Sequence, residues 1–152
     1  MTSEALRKPE FCNCLALRQA ARHVTQFYDQ FLAPSGLRTT QFSILAKLRG
    51  LGPLTINALA KELVMDRTTL GRNILPLERE GLIATATGSA DRRSKELRLT
   101  DAGLAKLRQA RAGWGEAQAG FEAAFGSKRS GELRSILQAV STTDLAPTPA
   151  ND

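Results

Sequence analysis

Two groups of residues in this chain have the types and spacings that chemistry needs. The first is Cys12-Asn13-Cys14. At the start of a helix the positive end of the dipole can lower a thiol pKa and make it reactive. Two soft ligands can also hold a thiophilic metal or metalloid, provided a partner chain completes the set. Positions two apart on a helix point in different directions, which disfavours an intrachain disulfide. The plainer reading, preferred here, is that the cysteines are small buried packing residues. Arg18 and Arg22 follow one helical turn apart. They can receive a carboxylate as a fork or pair with acidic side chains of a partner. His23 is the one histidine; it either lines an effector cleft or, as preferred here, packs and hydrogen-bonds.

The second group is cationic and amide-bearing. Arg67, Thr68, Thr69, Arg72 and Asn73 fall between the apolar positions Leu70, Ile74 and Leu77. On a helix they share an outward face. Arginine and asparagine make bidentate contacts to guanine and adenine edges, and threonine reads a hydroxyl partner or a thymine methyl. Further on, Asp91, Arg92 and Arg93 sit in a turn between two alternating segments. An arginine on a narrow protrusion suits the minor groove, whose negative potential rewards it. Asp91 beside it is expected to orient an arginine or cap the turn. Nothing comparable supports catalysis. The sequence has no His-Asp partnership near a nucleophile, no Cys-x-x-Cys, no glycine-rich phosphate loop and no clustered carboxylate pair. No cofactor is expected.

The elements that must position these groups follow from periodicity. Leu17, Ala20, Ala21, Val24, Tyr28 and Phe31 make a helical stripe within a first helix from about Phe11 to Leu32, stopped by Ala33-Pro34-Ser35-Gly36. A second helix starts after Thr39, read as its N-cap, and carries Phe42, Leu45, Leu48 and Leu51 on one face. A third runs from Ile56 to Leu63 with Thr55 as cap. A fourth begins near Asp66, a good cap, and ends at Glu80 before Gly81. Leu82-Ile83-Ala84-Thr85 and Leu97-Arg98-Leu99 then read as the two strands of a hairpin around Gly88-Ser89-Ala90-Asp91. Thr100-Asp101 caps a long fifth helix with Leu107, Trp114 and Phe121 at heptad spacing. A sixth carries Leu133, Ile136, Leu137 and Val140. The aromatic stripe reads as core between two copies of the chain.

Two short helices joined by a tight turn and followed by a basic hairpin make the order of a winged helix-turn-helix. The fold class expected is mainly α with a small β-hairpin wing. Asp91-Arg92-Arg93-Ser94-Lys95-Glu96-Leu97-Arg98-Leu99-Thr100 resembles the wing signature D-x-R-x-x-x-L-x-L-T of the MarR family. Leu59-Ala60-Lys61-Glu62-Leu63 and Leu77-Glu78-Arg79-Glu80-Gly81-Leu82-Ile83 resemble its helix-turn-helix, and the likeness extends from about Leu15 to Val140. It implies an obligate homodimer with interleaved first and last helices. It also implies a recognition helix from about Arg67 to Glu80, with Arg93 in the minor groove braced by Asp91. A small-molecule or redox-sensing cleft would lie between the dimerisation helices and the DNA-binding lobe. The domain reading is one unit over 1–152: dimerisation helices at 11–36 and 101–144, a winged lobe at 37–100, and a disordered tail at 145–152, the loosening beginning near Ser141. One departure is Pro76, which lacks an N–H for the Arg72 carbonyl and is expected to bend the recognition helix past its base-reading turns.

The bulk properties agree with this reading. The 152 residues carry a net charge of +6, which favours anionic partners. Met1 to Phe11 alternates charge without an apolar run, so it reads as a loose arm and not a signal peptide. No stretch approaches the roughly 18 apolar residues of a membrane span. A cytoplasmic regulator of transcription is therefore expected, with double-stranded DNA carrying a pseudo-palindromic operator as partner and a small-molecule or thiol-reactive effector. Two alternatives stand beside it: a winged-helix module that binds protein, and a sensor of oxidants or metalloids built on Cys12 and Cys14.

Overall fold

The computed structural model describes residues 8–88 and 90–146. Most of the expected N-terminal arm, Ser89 of the wing turn and most of the expected tail lie outside the described residues. The elements are α1 (Asn13–Leu32), α2 (Thr39–Leu51), β1 (Leu54–Thr55), α3 (Ile56–Glu62), α4 (Arg67–Arg79), β2 (Ile83–Thr87), β3 (Lys95–Leu99), α5 (Asp101–Phe125) and α6 (Ser127–Thr142). A single 3-10 turn, Pro9–Phe11, precedes α1. The chain divides into two compact units, with the boundary inside α5 between Ala117 and Gln118.

In the first unit, the leucines of the periodic stripes make the core. Leu45 of α2, Leu59 of α3 and Leu70 and Leu77 of α4 are fully buried, joined by Ile44, Ile74, Leu82, Ile83 and Leu97. Burying each such side chain contributes about 1.5–3 kcal/mol, which is why these short helices hold together. Leu51, expected on the buried face of α2, is instead exposed, and Ile44 takes its share of the core.

Local capping explains where the helices begin. Thr55 Oγ1 accepts from Ala58 N–H at 3.1 Å. Asp66 Oδ1 accepts from Thr69 N–H at 2.8 Å. Thr100 Oγ1 accepts from Gly103 N–H and donates to the Gly81 carbonyl at 2.6 Å, tying the start of α5 to the end of α4. The start of α2 departs from expectation. Arg38 is the residue before the helix, and its N–H is taken by the Gln41 side chain. Thr39 is the first helical residue, and its N–H and hydroxyl both donate to Asp29 of α1 at 2.7 Å. A carboxylate from another helix therefore supplies the cap, favourably placed at the positive end of the dipole.

The hairpin is part of a three-stranded antiparallel sheet in the order β1-β3-β2, where two strands were expected. Ile83 pairs with Leu99 and Thr87 with Lys95, so both strands run two residues further toward the turn than the sequence suggested. Leu54 and Thr55 pair with Leu97 and Glu96 and anchor the wing beside the helix-turn-helix. Between α3 and α4 the chain turns through Val64, held at φ 50°, a left-handed conformation rare for a β-branched residue. Two close approaches fix α5 in this unit. Gly103 sits against the Leu82 carbonyl and Gly113 against the Phe31 carbonyl, where a Cβ would collide. Lys106 Nζ also donates to the Ser35 carbonyl at 3.1 Å.

The second unit holds the end of α5 and α6. Phe121 and Phe125 stack with ring centroids 5.5 Å apart, and the Arg129 guanidinium lies 4.2 Å from the Phe125 ring centre. Gly126, at φ 107°, makes the break between the helices. The helix α6 extends to Thr142, so the chain is ordered past Ser141, where loosening was expected. Ile136, Leu137 and Val140 are exposed on it.

Candidate nucleic-acid interface

The helix α4 presents its polar residues as expected, though not all are equally available. Its apolar stripe (Leu70, Ile74, Leu77) is buried. Arg67, Thr68 and Arg72 are exposed. Thr69 is exposed too, but its hydroxyl donates to Asp66 Oδ2 at 2.6 Å. The Asn73 amide donates to the Thr69 carbonyl at 2.9 Å, so one of its two N–H groups is engaged within the helix. The helix runs unbroken through Pro76 and ends at Arg79, with Gly81 left-handed at φ 72°. Thr85 Oγ1 donates to Glu78 Oε1 at 2.6 Å, linking this helix to β2 of the wing.

The Asp66 carboxyl is held below its ordinary value of 3.8, first by the Thr69 hydroxyl and then by the Thr69 N–H. A depressed folded-state pKa means that the ionised cap stabilises the fold above about 3.8 and loses that effect as pH falls through the lower folded value. Asp66→Ala is accordingly expected to lower the melting temperature at neutral pH by an amount that shrinks in acid below 3.8. Thermal melts of both proteins across that range check it; a difference independent of pH would mean the charge contributes nothing.

At the wing tip, Asp91, Arg92 and Arg93 are all exposed. Of the two roles open to Asp91, the structure takes the turn cap: Oδ1 accepts from the Arg93 N–H at 2.9 Å. The Asp91 carbonyl accepts from both the N–H and the hydroxyl of Ser94. Gly88 N–H donates to the Ser94 carbonyl at 2.8 Å and closes the loop. The turn thus holds the backbone of Arg93 while its guanidinium stays outward and solvated.

The residues expected to line an effector cleft are exposed along the start and middle of α1. Cys12 and Cys14 are free and exposed in this chain, not packed. Cys12 is the N-cap of α1, its Sγ accepting from Leu15 N–H at 3.4 Å. Arg18, Arg22 and His23 are exposed on the same helix. An aromatic cleft lies elsewhere in the first unit. It has a volume of about 700 Å³, with Tyr28, Phe42 and Trp114 as aromatic walls and Lys47, Arg49 and Arg111 as cations. Ser43 and Thr39 add hydroxyls. Trp114 stacks on Phe42, centroids 6.1 Å apart and planes 15° from parallel, so it belongs to this wall. Sequence periodicity placed it in a stripe with Phe121; the Phe42 contact, 72 positions away in the chain, leaves no local signal.

This architecture is that of a winged helix-turn-helix protein. The chain belongs to the MarR family, whose model matches residues 37–95. A Bacillus subtilis relative, the uncharacterized HTH-type transcriptional regulator YwoH, is 33% identical over 84 residues, 55% of this chain. The chain spans 61–63% of the length of the curated relatives it matches. The transcriptional regulator MosR of M. tuberculosis, solved in complex with DNA, is 37% identical with a TM-score of 0.73, over 85% of this chain and 96% of that one. The transcriptional repressor CouR of Rhodococcus jostii, solved on a 23-mer DNA duplex, is 25% identical with a TM-score of 0.78, over 93% and 98%. No described helix is long and apolar enough to cross a membrane.

Proposed function

We propose that this protein is a sequence-specific DNA-binding regulator of transcription, a cytoplasmic repressor and not an enzyme. It acts as a homodimer whose α4 helices enter successive major grooves while the wing arginines reach the flanking minor grooves. The observation that carries this reading is the pairing of two exposed cationic features on one small lobe: Arg67 and Arg72 on α4, and Arg92 and Arg93 on the ordered wing turn. The likeness to MosR, solved on DNA, supports it. In this reading Arg67, Thr68, Thr69, Arg72 and Asn73 read bases, and Asn73 must release the Thr69 carbonyl to do so bidentately. Residues 37–100 form the DNA-binding lobe, and 11–36 and 101–144 carry the dimer. Exposed Leu17, and separately Ile136, Leu137 and Val140, support that assignment, because apolar faces left open in one chain suit burial by a second.

The effector in this reading is a small aromatic acid held against the wall that Phe42 and Trp114 form, its carboxylate facing Lys47 or Arg111. It releases DNA by favouring a dimer whose two lobes have the wrong spacing, about 34–36 Å being right. A second reading, release by a thiol reagent, is favoured by the exposure of both cysteines. If Cys12→Ser and Cys14→Ser respond to peroxide and arsenite as the parent does, that second reading fails.

The deciding measurement is fluorescence anisotropy on the intergenic DNA beside the protein's own gene, over a salt series, with a random duplex as control. A dimer that binds selectively and weakens steeply with salt supports the proposal. Binding that is insensitive to salt and no better than to random duplex points to a winged helix serving a protein partner.

A further inference from the structure

A second, smaller depression opens on the first unit where the end of α2, the end of β3 and the start of α5 meet. Its volume is about 350 Å³, within the range of small-molecule sites. The floor is apolar, formed by Leu48, Leu99 and Leu104. The rim carries three arginines, one from each element: Arg49, Arg98 and Arg108. No carboxylate among the described residues is within ion-pairing distance of any of them. Asp101 also lines the depression, so the rim holds three positive charges and one negative, a net of +2.

None of these residues belongs to the interface proposed for DNA. Three arginines lining one concave depression repel one another unless an anion joins them. Planar forks match the oxygens of a phosphate or carboxylate in bidentate pairs. A net of +2 is matched by a phosphate monoester, which carries about −1.5 to −2 at neutral pH. A bare phosphate would leave the leucine floor uncovered, whereas an ester with an apolar body would fill it. We propose that this depression binds a small organic phosphate monoester, the phosphate on Arg98 and Arg108 and the apolar body on Leu48, Leu99 and Leu104. Arg49 lines both this depression and the larger aromatic cleft. Occupancy of one site therefore alters a wall of the other.

The probe is phenyl phosphate, titrated into the full-length protein without DNA and followed by ³¹P line broadening and calorimetry. Arg98→Gln and Arg108→Gln are each expected to weaken binding by about tenfold, the loss of one charge-assisted bidentate pair. Arg134→Gln removes the same charge from a residue that lines neither depression, and it is expected to leave binding unchanged. Inorganic phosphate is expected to bind several times more weakly than phenyl phosphate. Circular dichroism confirms that each variant is folded, and Arg98→Lys, which keeps the charge and loses the fork, is expected to fall between parent and Arg98→Gln. The proposal is overturned if Arg98→Gln and Arg108→Gln leave binding unchanged, since the probe then sits elsewhere, the aromatic cleft included. Equal losses in all three variants would show only non-specific attraction to a basic protein and would also overturn it. Inorganic phosphate binding as tightly as the ester would remove the role of the floor, and no saturable binding at millimolar probe would remove the site.

Discussion

Gly103→Ala is expected to destabilise the fold by about 3 kcal/mol, in the upper part of the usual range for overpacking. Helix propensity argues the other way, since alanine gains about 1 kcal/mol over glycine inside a helix. The geometry decides between them. A Cβ at position 103 would run into the Leu82 carbonyl oxygen, with the Leu99 Cδ1 a further 2.6 Å contact. The main obstacle is backbone held by the Thr100-to-Gly81 bond, not the end of a flexible side chain. Relief requires shifting α5 off the α4–β2 corner that positions the recognition helix. Gly115 supplies the control: it lies in the same helix, and nothing would meet its Cβ within 4 Å. Gly115→Ala is expected to stabilise by about 0.5–1 kcal/mol. Urea titrations of the three proteins at one concentration, held fixed because assembly contributes to stability, would show opposite shifts in midpoint. Shifts of the same sign would mean that the close approach at Gly103 is relieved without cost.

The helices were legible because each carries one apolar stripe, buried in α2, α3 and α4 and largely exposed in α6, and a stripe recurs at a spacing that side chains alone reveal. Caps were legible where donor and acceptor are three residues apart, as for Thr55 and Asp66. They were illegible where the acceptor comes from another element. Asp29 caps α2 from a distance of ten residues, and no local pattern announces it. The third strand escaped for a similar reason: Leu54 and Thr55 are too few to alternate, and their partners lie more than forty positions away. The site divides along the same line. Residues proposed to act by protruding, such as Arg72 and Arg93, both exposed, can be picked out from type and position in a motif. The aromatic cleft could not be, because Phe42, Lys47, Arg111 and Trp114 meet only after α2 and α5 have packed. Arg18, Arg22 and His23 were attractive for their chemistry, and all three are exposed along α1.

The wing makes a sharper test of mechanism than of affinity alone, because Arg93 and Asp91 should fail differently. Arg93→Ala is expected to weaken operator binding by about tenfold to a hundredfold, the range for losing a groove contact worth about 1–3 kcal/mol. If that guanidinium also displaces counterions from the minor groove, the slope of log K against log salt falls by about 0.9 for each phosphate charge neutralised, and a dimer carries two such arginines. Asp91→Ala removes a negative charge from the same tip, so electrostatics alone predicts tighter binding. The geometry predicts the reverse. Asp91 Oδ1 holds the Arg93 N–H at 2.9 Å, and without it the turn gains conformers in which the guanidinium misses the groove. Asp91→Ala is therefore expected to weaken binding several-fold while leaving the salt slope nearly intact, because every cation is still present. Asp91→Asn, which keeps the acceptor and loses the charge, is expected to bind as well as the parent or better. Anisotropy titrations of the three variants over a salt series separate these effects. Should Asp91→Ala bind more tightly than the parent, the carboxylate would act only through its charge, and the ordered turn would have no part in placing Arg93.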